Sequence, residues 1–153
     1  MAITTTTDVV QRNRSRWDTY RHHGYYFREA AMLTIAMGFL LHLFRVIFGD
    51  DAALQYAVTQ TTDMVLMVPM TYSAITGILS YRRMVFANRL HRAALTGAIG
   101  YITVSVPLHI YVTLVMADVS FYVHMAGYWF SYLLLMAVYP AFLTLFTKLR
   151  YRN

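Results

Sequence analysis

The sequence predicts an all-α fold, namely an integral membrane four-helix bundle with both termini in the cytoplasm. Three observations predict it. The chain of 153 residues is 58% hydrophobic and only 13% charged, whereas soluble domains carry about a quarter charged residues. It contains four apolar segments, each close to the ~20 residues that cross a ~30 Å hydrocarbon core. The basic residues gather at alternate ends of these segments, as expected when basic loops remain in the cytoplasm.

Four apolar segments and two short polar regions account for the chain. A polar arm covers residues 1–25, the helical domain covers 26–147 and a basic tail covers 148–153; the segments are approximately 26–48, 63–80, 93–116 and 121–146. The arm lacks the apolar core and small-residue cleavage site of a signal peptide. Because little chain lies outside the segments, we expect no soluble domain.

The charged residues separate by sign between the two ends of the segments. Basic residues precede the first segment, fill the loop between the second and third, and end the chain: Arg12, Arg14, Arg16, Arg21, Arg28, Arg82, Arg83, Arg89, Arg92, Lys148, Arg150 and Arg152. The opposite ends carry Asp50, Asp51, Asp63 and Asp118. This pattern predicts that both termini lie on the cytoplasmic side of the membrane. We expect that membrane to be a bacterial or archaeal cytoplasmic membrane. The membrane topology accounts for the positions of the basic residues that give the net charge of +6, so we expect no nucleic-acid partner.

The first segment is expected to run as a helix from Tyr26 and to end at Gly49, a common C-terminal stop. After it, one interpretation places a short interfacial helix over 52–60, capped by Asp50 or Asp51. Alternatively, the same stretch extends the second segment outward.

Local signals shape the other three segments. The triplet "TTD", which ends at Asp63, is a helix start signal, and we expect Asp63 to cap the helix beside Thr62. Pro69 should kink the second segment, and Pro107 should bend the third near its outer end. The turn "MADVS" is short, so the third and fourth segments form an antiparallel hairpin. Pro140 lies near the inner end of the fourth.

Two histidines lie at nearly the same depth on parallel segments. His42 follows Tyr26 by 16 residues, and His109 follows Arg92 by 17. At ~1.5 Å per residue, both side chains reach the outer half of the membrane. The first and third helices lie diagonally across a simple four-helix bundle. Facing imidazoles at equal depth are what bis-histidine ligation of a haem iron requires, so the sequence predicts these two as haem ligands.

Small and basic neighbours suit this prediction. A porphyrin is a wide, flat plate that needs small residues beside its ligands, and Gly38 and Ser105 each lie one turn before one of the histidines. Arg45 lies one turn beyond His42 and is expected to pair with a haem propionate. The alternative is that His42 and His109 only hold helices together through hydrogen bonds to hydroxyl or backbone groups.

The remaining histidines allow two further sites. His91 and His109 are 18 residues apart, so they share one helix face about 27 Å apart. A second, inner haem between His91 and His23 would complete an electron path across the membrane. His124 opens the fourth segment at the outer interface, where it is either an interfacial residue or a ligand to a metal or a quinone oxygen.

The stretch "TGILSYRRMVFANRLHRAALTGAIGYITVSVPLHIYV" resembles the layout of the small four-helix membrane cytochromes of the b type. It has Thr-Gly late in one helix, a basic loop, a histidine at the start of the next helix and another near its end. The resemblance covers the middle of the chain. It implies haem b as cofactor, electron transport as function, and a quinone or a redox protein as the partner that exchanges electrons.

Three functions are compatible with the sequence. The first is an electron-transfer subunit of a larger respiratory or redox complex. The second is a cofactor-free accessory subunit of a membrane enzyme complex. The third is a small transporter or metal-handling protein, with His42, His124, Asp63 and the methionines of "MVLMVPM" along its path.

Some classes are excluded. The chain has no cysteine, which excludes disulfides, iron–sulfur clusters and thiolate zinc. Without a nucleophilic triad, a phosphate loop or paired carboxylates in the membrane, we expect neither a self-sufficient hydrolase nor a kinase.

Overall fold

A computed structural model describes the backbone of residues 6–152 and the side chains of residues 26–152. Within this part of the chain, four helices are long and apolar enough to cross a membrane, and they cover Tyr26–Phe48, Gln60–Arg83, Arg89–Met116 and Tyr128–Thr147. The prediction of a mainly helical chain with four helices long and apolar enough to cross a membrane is therefore confirmed.

The first spanning segment is the second half of a long helix, α1 (Thr6–Phe48). It ends at Gly49, whose φ of 89° is readily adopted only by glycine. Next come α2 (Asp50–Ala52) and a π-helical turn, Ala53–Ala57. This stretch is a separate short helix and does not extend the second segment. Gly49 is the N-cap of α2, and Asp50 and Asp51 lie in the first turn of that helix.

Helix α3 (Gln60–Ser80) begins three residues before the predicted start. Thr59 is its N-cap, and its side chain and that of Thr62 form a reciprocal capping box. The prediction that Asp63 caps this helix was therefore wrong, because Thr59 already satisfies the end of the helix and Asp63 lies inside it. A 3₁₀ turn, Tyr81–Arg83, follows.

The connection to the next helix contains a short strand, β1 (Met84–Val85). It pairs antiparallel with β2 (Arg150–Tyr151), so the C-terminal tail is attached to this loop. Helix α4 (Arg89–Ile110) starts at an Asn88 cap and continues as a π-helical stretch, Tyr111–Met116.

The fourth segment is divided, whereas the sequence predicted one helix over 121–146. A short helix, α5 (Ser120–Met125), is followed by a break, where Ala126 is extended. The chain then continues as α6 (Tyr128–Leu133), a π-helical stretch (Leu134–Val138) and α7 (Tyr139–Thr147). Pro140 is in the first turn of α7 and has no N–H to donate to the preceding turn, which fits the wide turn just before it.

The helices pack in the order expected for a simple bundle. Helix α1 packs along α3 on one side and against α6 and α7 on the other, while α4 packs against α3 and α7. This order puts α1 and α4 on the diagonal of the bundle. The two histidines predicted as ligands are therefore carried by diagonal helices.

The core is concentrated at one end of the bundle. Here the side chains of α1, β1, α4 and α7 meet in one cluster: Phe27, Ala31, Ile35, Met84, Leu95, Ile99, Phe146 and Leu149. We call this the basic end, because Arg82, Arg83, Arg89, Arg92 and the tail lie there. The opposite, acidic end carries Asp50, Asp51 and Asp118. Between the core and the acidic end the packing is less complete.

Candidate functional site

A cavity of about 280 Å³ opens between the helices on the acidic-end side of the core. Side chains from every spanning segment line it, and most of its wall is apolar. His42 and His109 both line this one space. The structure therefore brings together the two histidines that the sequence predicted as a pair, and it adds groups that were not predicted.

The first added group is Asp63, which holds His109. Nδ1 of His109 lies 2.6 Å from Oδ1 of Asp63, and the carboxylate is only 5% exposed. An ionised carboxylate can only accept, so the imidazole donates from Nδ1; in the neutral form of the ring this leaves the lone pair on Nε2. A carboxylate behind a histidine is a common orienting contact in metal sites.

Asp63 accepts two further hydrogen bonds, and together these satisfy its buried charge. The hydroxyl groups of Thr113 and Tyr122 both donate to Oδ2. The Tyr122 ring also lies against the His109 ring, with centroids 4.9 Å apart. Burial raises the pKa of the Tyr122 hydroxyl, so it stays protonated and able to donate. The cluster joins α3, α4 and α5 around one imidazole.

His42 is held from the other side of the bundle by Ser131 of α6. The distance from Nδ1 of His42 to Oγ of Ser131 is 2.9 Å. The same hydroxyl oxygen accepts from Arg45, with an N–O distance of 3.2 Å. Phe130 and Tyr139 flank the imidazole edge-on and tilted. Like His109, His42 is hydrogen-bonded through Nδ1 and not, among the described residues, through Nε2.

Arg45 has other partners than the predicted propionate. Its side chain is buried, and Nε donates to Oδ1 of Asp50 at 2.6 Å. One terminal nitrogen reaches Ser131 and the other donates to the carbonyl of Val123. The guanidinium also lies 5.2 Å from the centre of the Tyr128 ring. Arg45 thus ties α1 to α2, α5 and α6, and propionate binding, which stays a prediction, would require an exchange of partners.

The two small residues predicted beside the ligands also line the cavity. A Cβ atom at Gly38 would lie 2.6 Å from the hydroxyl oxygen of Tyr139, so this glycine makes room for Tyr139. Ser105 is 9% exposed and its hydroxyl donates to the carbonyl of Tyr101, one turn back. The hydrogen bonds of His42 to Ser131 and of His109 to Asp63 each join two helices, so the alternative that these histidines hold helices together stays open.

His91 and His124 are not among the residues that line this cavity. His91 is buried at the basic end, where its Nδ1 accepts from the amide of Ala87 and its Nε2 donates to the carbonyl of Leu145. With both nitrogens engaged, its role in this conformation is to join the α4 start to α7. His124 is exposed and donates to the carbonyl of Ser120. The side chain of His23 lies outside the described residues, and the second haem stays a prediction.

Comparison with protein-family models, with curated proteins and with solved structures gives no significant match. The resemblance to small membrane cytochromes of the b type thus rests on the histidine layout alone and stays a prediction.

The cavity lining offers two histidines, His42 and His109, as candidate ligands. Among residues 26–152, no group of three or more histidine or carboxylate side chains gathers in a way that could hold a metal ion. A haem iron needs only two axial ligands from the protein, because the porphyrin supplies the other four. His42 and His109 are two side chains of that type on diagonal helices, and both line the cavity.

Sequence reasoning missed the groups behind the ligands. Asp63 was considered as a metal ligand, a proton carrier or a cap, but not as the partner of His109. Its position inside an apolar segment was the available signal, because such carboxylates usually face a polar partner in the bundle. Ser131, set among the aromatic residues of "YWFSYL", gave no comparable signal.

Proposed function

We propose that the protein is a membrane electron-transfer subunit that binds haem b between α1 and α4, with His42 and His109 as the axial ligands. The observation that carries this proposal is the shared cavity. Imidazoles from two diagonal helices line one largely apolar space, and each is oriented through Nδ1 by another side chain. Such orienting contacts are usual behind metal-ligating histidines.

The chain's own residues would position the ligands and set their electronic character. A bound haem supplies one-electron chemistry. Asp63 keeps the His109 proton on Nδ1, which leaves the Nε2 lone pair for iron. Ser131 and Arg45 fix the His42 ring from the opposite side. Apolar wall residues, among them Leu66 and Ile102, would pack against the bound group.

Under this proposal, electrons would be exchanged at the acidic end of the bundle. The cavity lining includes Val58, Met125 and Ala126, which lie in the connections at that end. A quinone or a redox protein would approach there, in the outer leaflet if the basic end faces the cytoplasm as the charge pattern predicts. Because the described connections between the spans are short and form no separate domain, we propose that it works within a larger respiratory or redox complex.

The test is a dithionite-reduced minus oxidised absorption spectrum of the purified protein in detergent. We expect a b-type α band in the wild type and its loss in both His42→Ala and His109→Ala, since a bis-histidine site needs both ligands. His124→Ala is the matched control, because that imidazole is exposed and outside the cavity. Far-UV circular dichroism of each variant establishes that the helices are retained.

Other outcomes would point elsewhere. A band that persists in both alanine variants would mean that other histidines bind the iron. A folded wild-type protein without any band, even after haem is added back, would contradict the proposal and favour the cofactor-free accessory subunit.

A further inference from the structure

A second cavity lies on the outside of the bundle, between α3 and α4 at the basic end. Its volume is about 270 Å³, and it is lined by Ile78, Tyr81, Arg82, Thr96 and Ile99. We call it the basic groove. Ile99 is nearly buried and forms the floor, whereas Ile78 is half exposed on the rim. The Tyr81 hydroxyl is 2.6 Å from that of Thr96 and joins the two walls.

Two arginines stand at the polar end of the groove. Arg82 is part of its wall. Arg92 lies one helical turn before Thr96, and its guanidinium carbon is 5.8 Å from the centre of the Phe86 ring, which itself packs against the Tyr81 ring. None of the ion pairs formed among residues 26–152 involves either arginine. The groove therefore places the apolar side chains of Ile78 and Ile99 beside Arg82, with Arg92 close to one end.

The neighbouring helix surface leaves the basic groove open along the span. Gly100 lies one turn from Thr96 toward the membrane centre, and a Cβ atom there would meet nothing within 4 Å. The same is true of Gly97. An acyl chain that enters between Ile78 and Thr96 would thus find room to continue along α4.

We propose that the basic groove is a binding site for an anionic phospholipid, with the phosphate between Arg82 and Arg92 and one acyl chain along α3 and α4. Guanidinium groups match phosphate oxygens in charge and geometry. Tyrosine at the end of a spanning helix sits at headgroup depth. Basic pockets between helices at the cytoplasmic face are typical lipid headgroup sites. This inference is independent of haem binding.

The test is lipid binding by the purified full chain, measured by native mass spectrometry. Phosphatidylglycerol and phosphatidylcholine with the same acyl chains are added to the protein in detergent. We expect selective binding of phosphatidylglycerol, and about 25-fold weaker binding in Arg82→Gln/Arg92→Gln, since each basic side chain near an anionic headgroup contributes roughly fivefold.

The matched control is Lys148→Gln/Arg152→Gln, which removes the same charge from exposed positions at the same end but outside the groove. The proposal predicts near wild-type binding in this control. An equal loss in both variant pairs would overturn it and leave only general attraction by the basic end. Equal binding of both lipids, or binding of inorganic phosphate as tight as that of phosphatidylglycerol, would also overturn it. Preferential capture of an acidic peptide over the lipid would instead indicate a protein partner.

Discussion

At the scale of single residues, Asp63 is the clearest case of a side chain whose surroundings define its role. An isolated carboxylate buried among apolar helices is strongly unfavourable. Here three donors, from His109, Thr113 and Tyr122, compensate the lost hydration. The arrangement stabilises the charged carboxylate, and in return the carboxylate fixes one tautomer of His109. A buried charge is thus used to orient a ring.

Under the proposed haem assignment, we expect Asp63→Asn to weaken haem binding by about tenfold to a hundredfold, as is usual when the group behind a metal-ligating histidine is removed. Asparagine keeps the size of the side chain but loses the negative charge, so His109 becomes a less basic ligand. The midpoint potential of the remaining haem should therefore rise. Haem titration and a redox titration of the α band measure the two effects.

The control for that prediction is Asp51→Asn, which removes one negative charge from an exposed position at the same end. It should change neither haem affinity nor potential. A variant at Asp63 that binds haem as the wild type does, at an unchanged potential, would show that this carboxylate does not act through the axial ligand.

Arg45 supports a different prediction, which concerns stability. Its three nitrogens are all bonded, and its side chain is 5% exposed while that of Asp50 is 35% exposed. Removing one partner of a buried ion pair costs about 3–5 kcal/mol. We expect Arg45→Gln to lower the free energy of unfolding by about 3 kcal/mol, the low end of that range, because Asp50 keeps contact with water.

Equilibrium unfolding in mixed detergent micelles measures this difference. Arg89→Gln is the comparison, since Arg89 is exposed in the first turn of α4 and its loss should change stability by less than about 0.5 kcal/mol. Similar effects of the two substitutions would mean that the Arg45 network contributes little to the fold.

At the scale of elements, the end of α4 contains the one residue other than glycine with a positive φ in the described part of the chain. This residue is Ala117, with φ of 53°. It follows the π-helical stretch Tyr111–Met116, and its amide donates to the carbonyl of Val112. An alanine in the left-handed region is strained by roughly 1–2 kcal/mol relative to its usual conformation. Glycine would adopt the same geometry without that strain.

We therefore expect Ala117→Gly to raise the free energy of unfolding by about 1 kcal/mol, even though glycine usually destabilises helical proteins. Ala93→Gly, at an exposed position inside α4, should lower it by about the same amount. Thermal melting of the two variants in one detergent shows whether the signs differ. If Ala117→Gly also lowers the melting temperature, the left-handed conformation is not a source of strain.

Elements set by local signals were predictable, while those set by tertiary contacts were not. Gly49 stops α1 where the sequence indicated, because its effect is local. The break at Ala126 and the π-helical stretches were missed, since hydrophobicity continues through them and gives no sign of an irregular backbone. The pairing of β1 with β2 was missed because two-residue strands become stable only when the bundle brings them together.

In the candidate site too, the positions set by the helical period were predictable, whereas the contacts set by tertiary packing were not. The helical rise places His42 and His109 at equal depth, and the structure places both on one cavity. Their partners could not be predicted, because the contact of Asp63 with His109 depends on how α3 and α4 are rotated against each other. The helical period alone does not determine that rotation between two apolar helices.

At the scale of the whole molecule, packing and charge are both asymmetric along the bundle. The main core fills the basic end, while the cavity lies toward the acidic end. The pairing of β1 with β2 further ties the C-terminal tail to the basic loop. The cavity therefore lies in the less completely packed part of the bundle.

The two ends of the bundle should lie on opposite sides of the membrane, and their orientation can be tested. Positive loops remain in the cytoplasm, so the acidic end should face outward. The chain has no cysteine, so single cysteines report position without background. In intact cells, we expect a membrane-impermeant thiol reagent to label Asp118→Cys, at an exposed turn of the acidic end, and to leave Arg150→Cys, at the basic end, unlabelled. After permeabilisation both should react. Labelling of Arg150→Cys alone in intact cells would invert the orientation and move the cavity's open end to the cytoplasm.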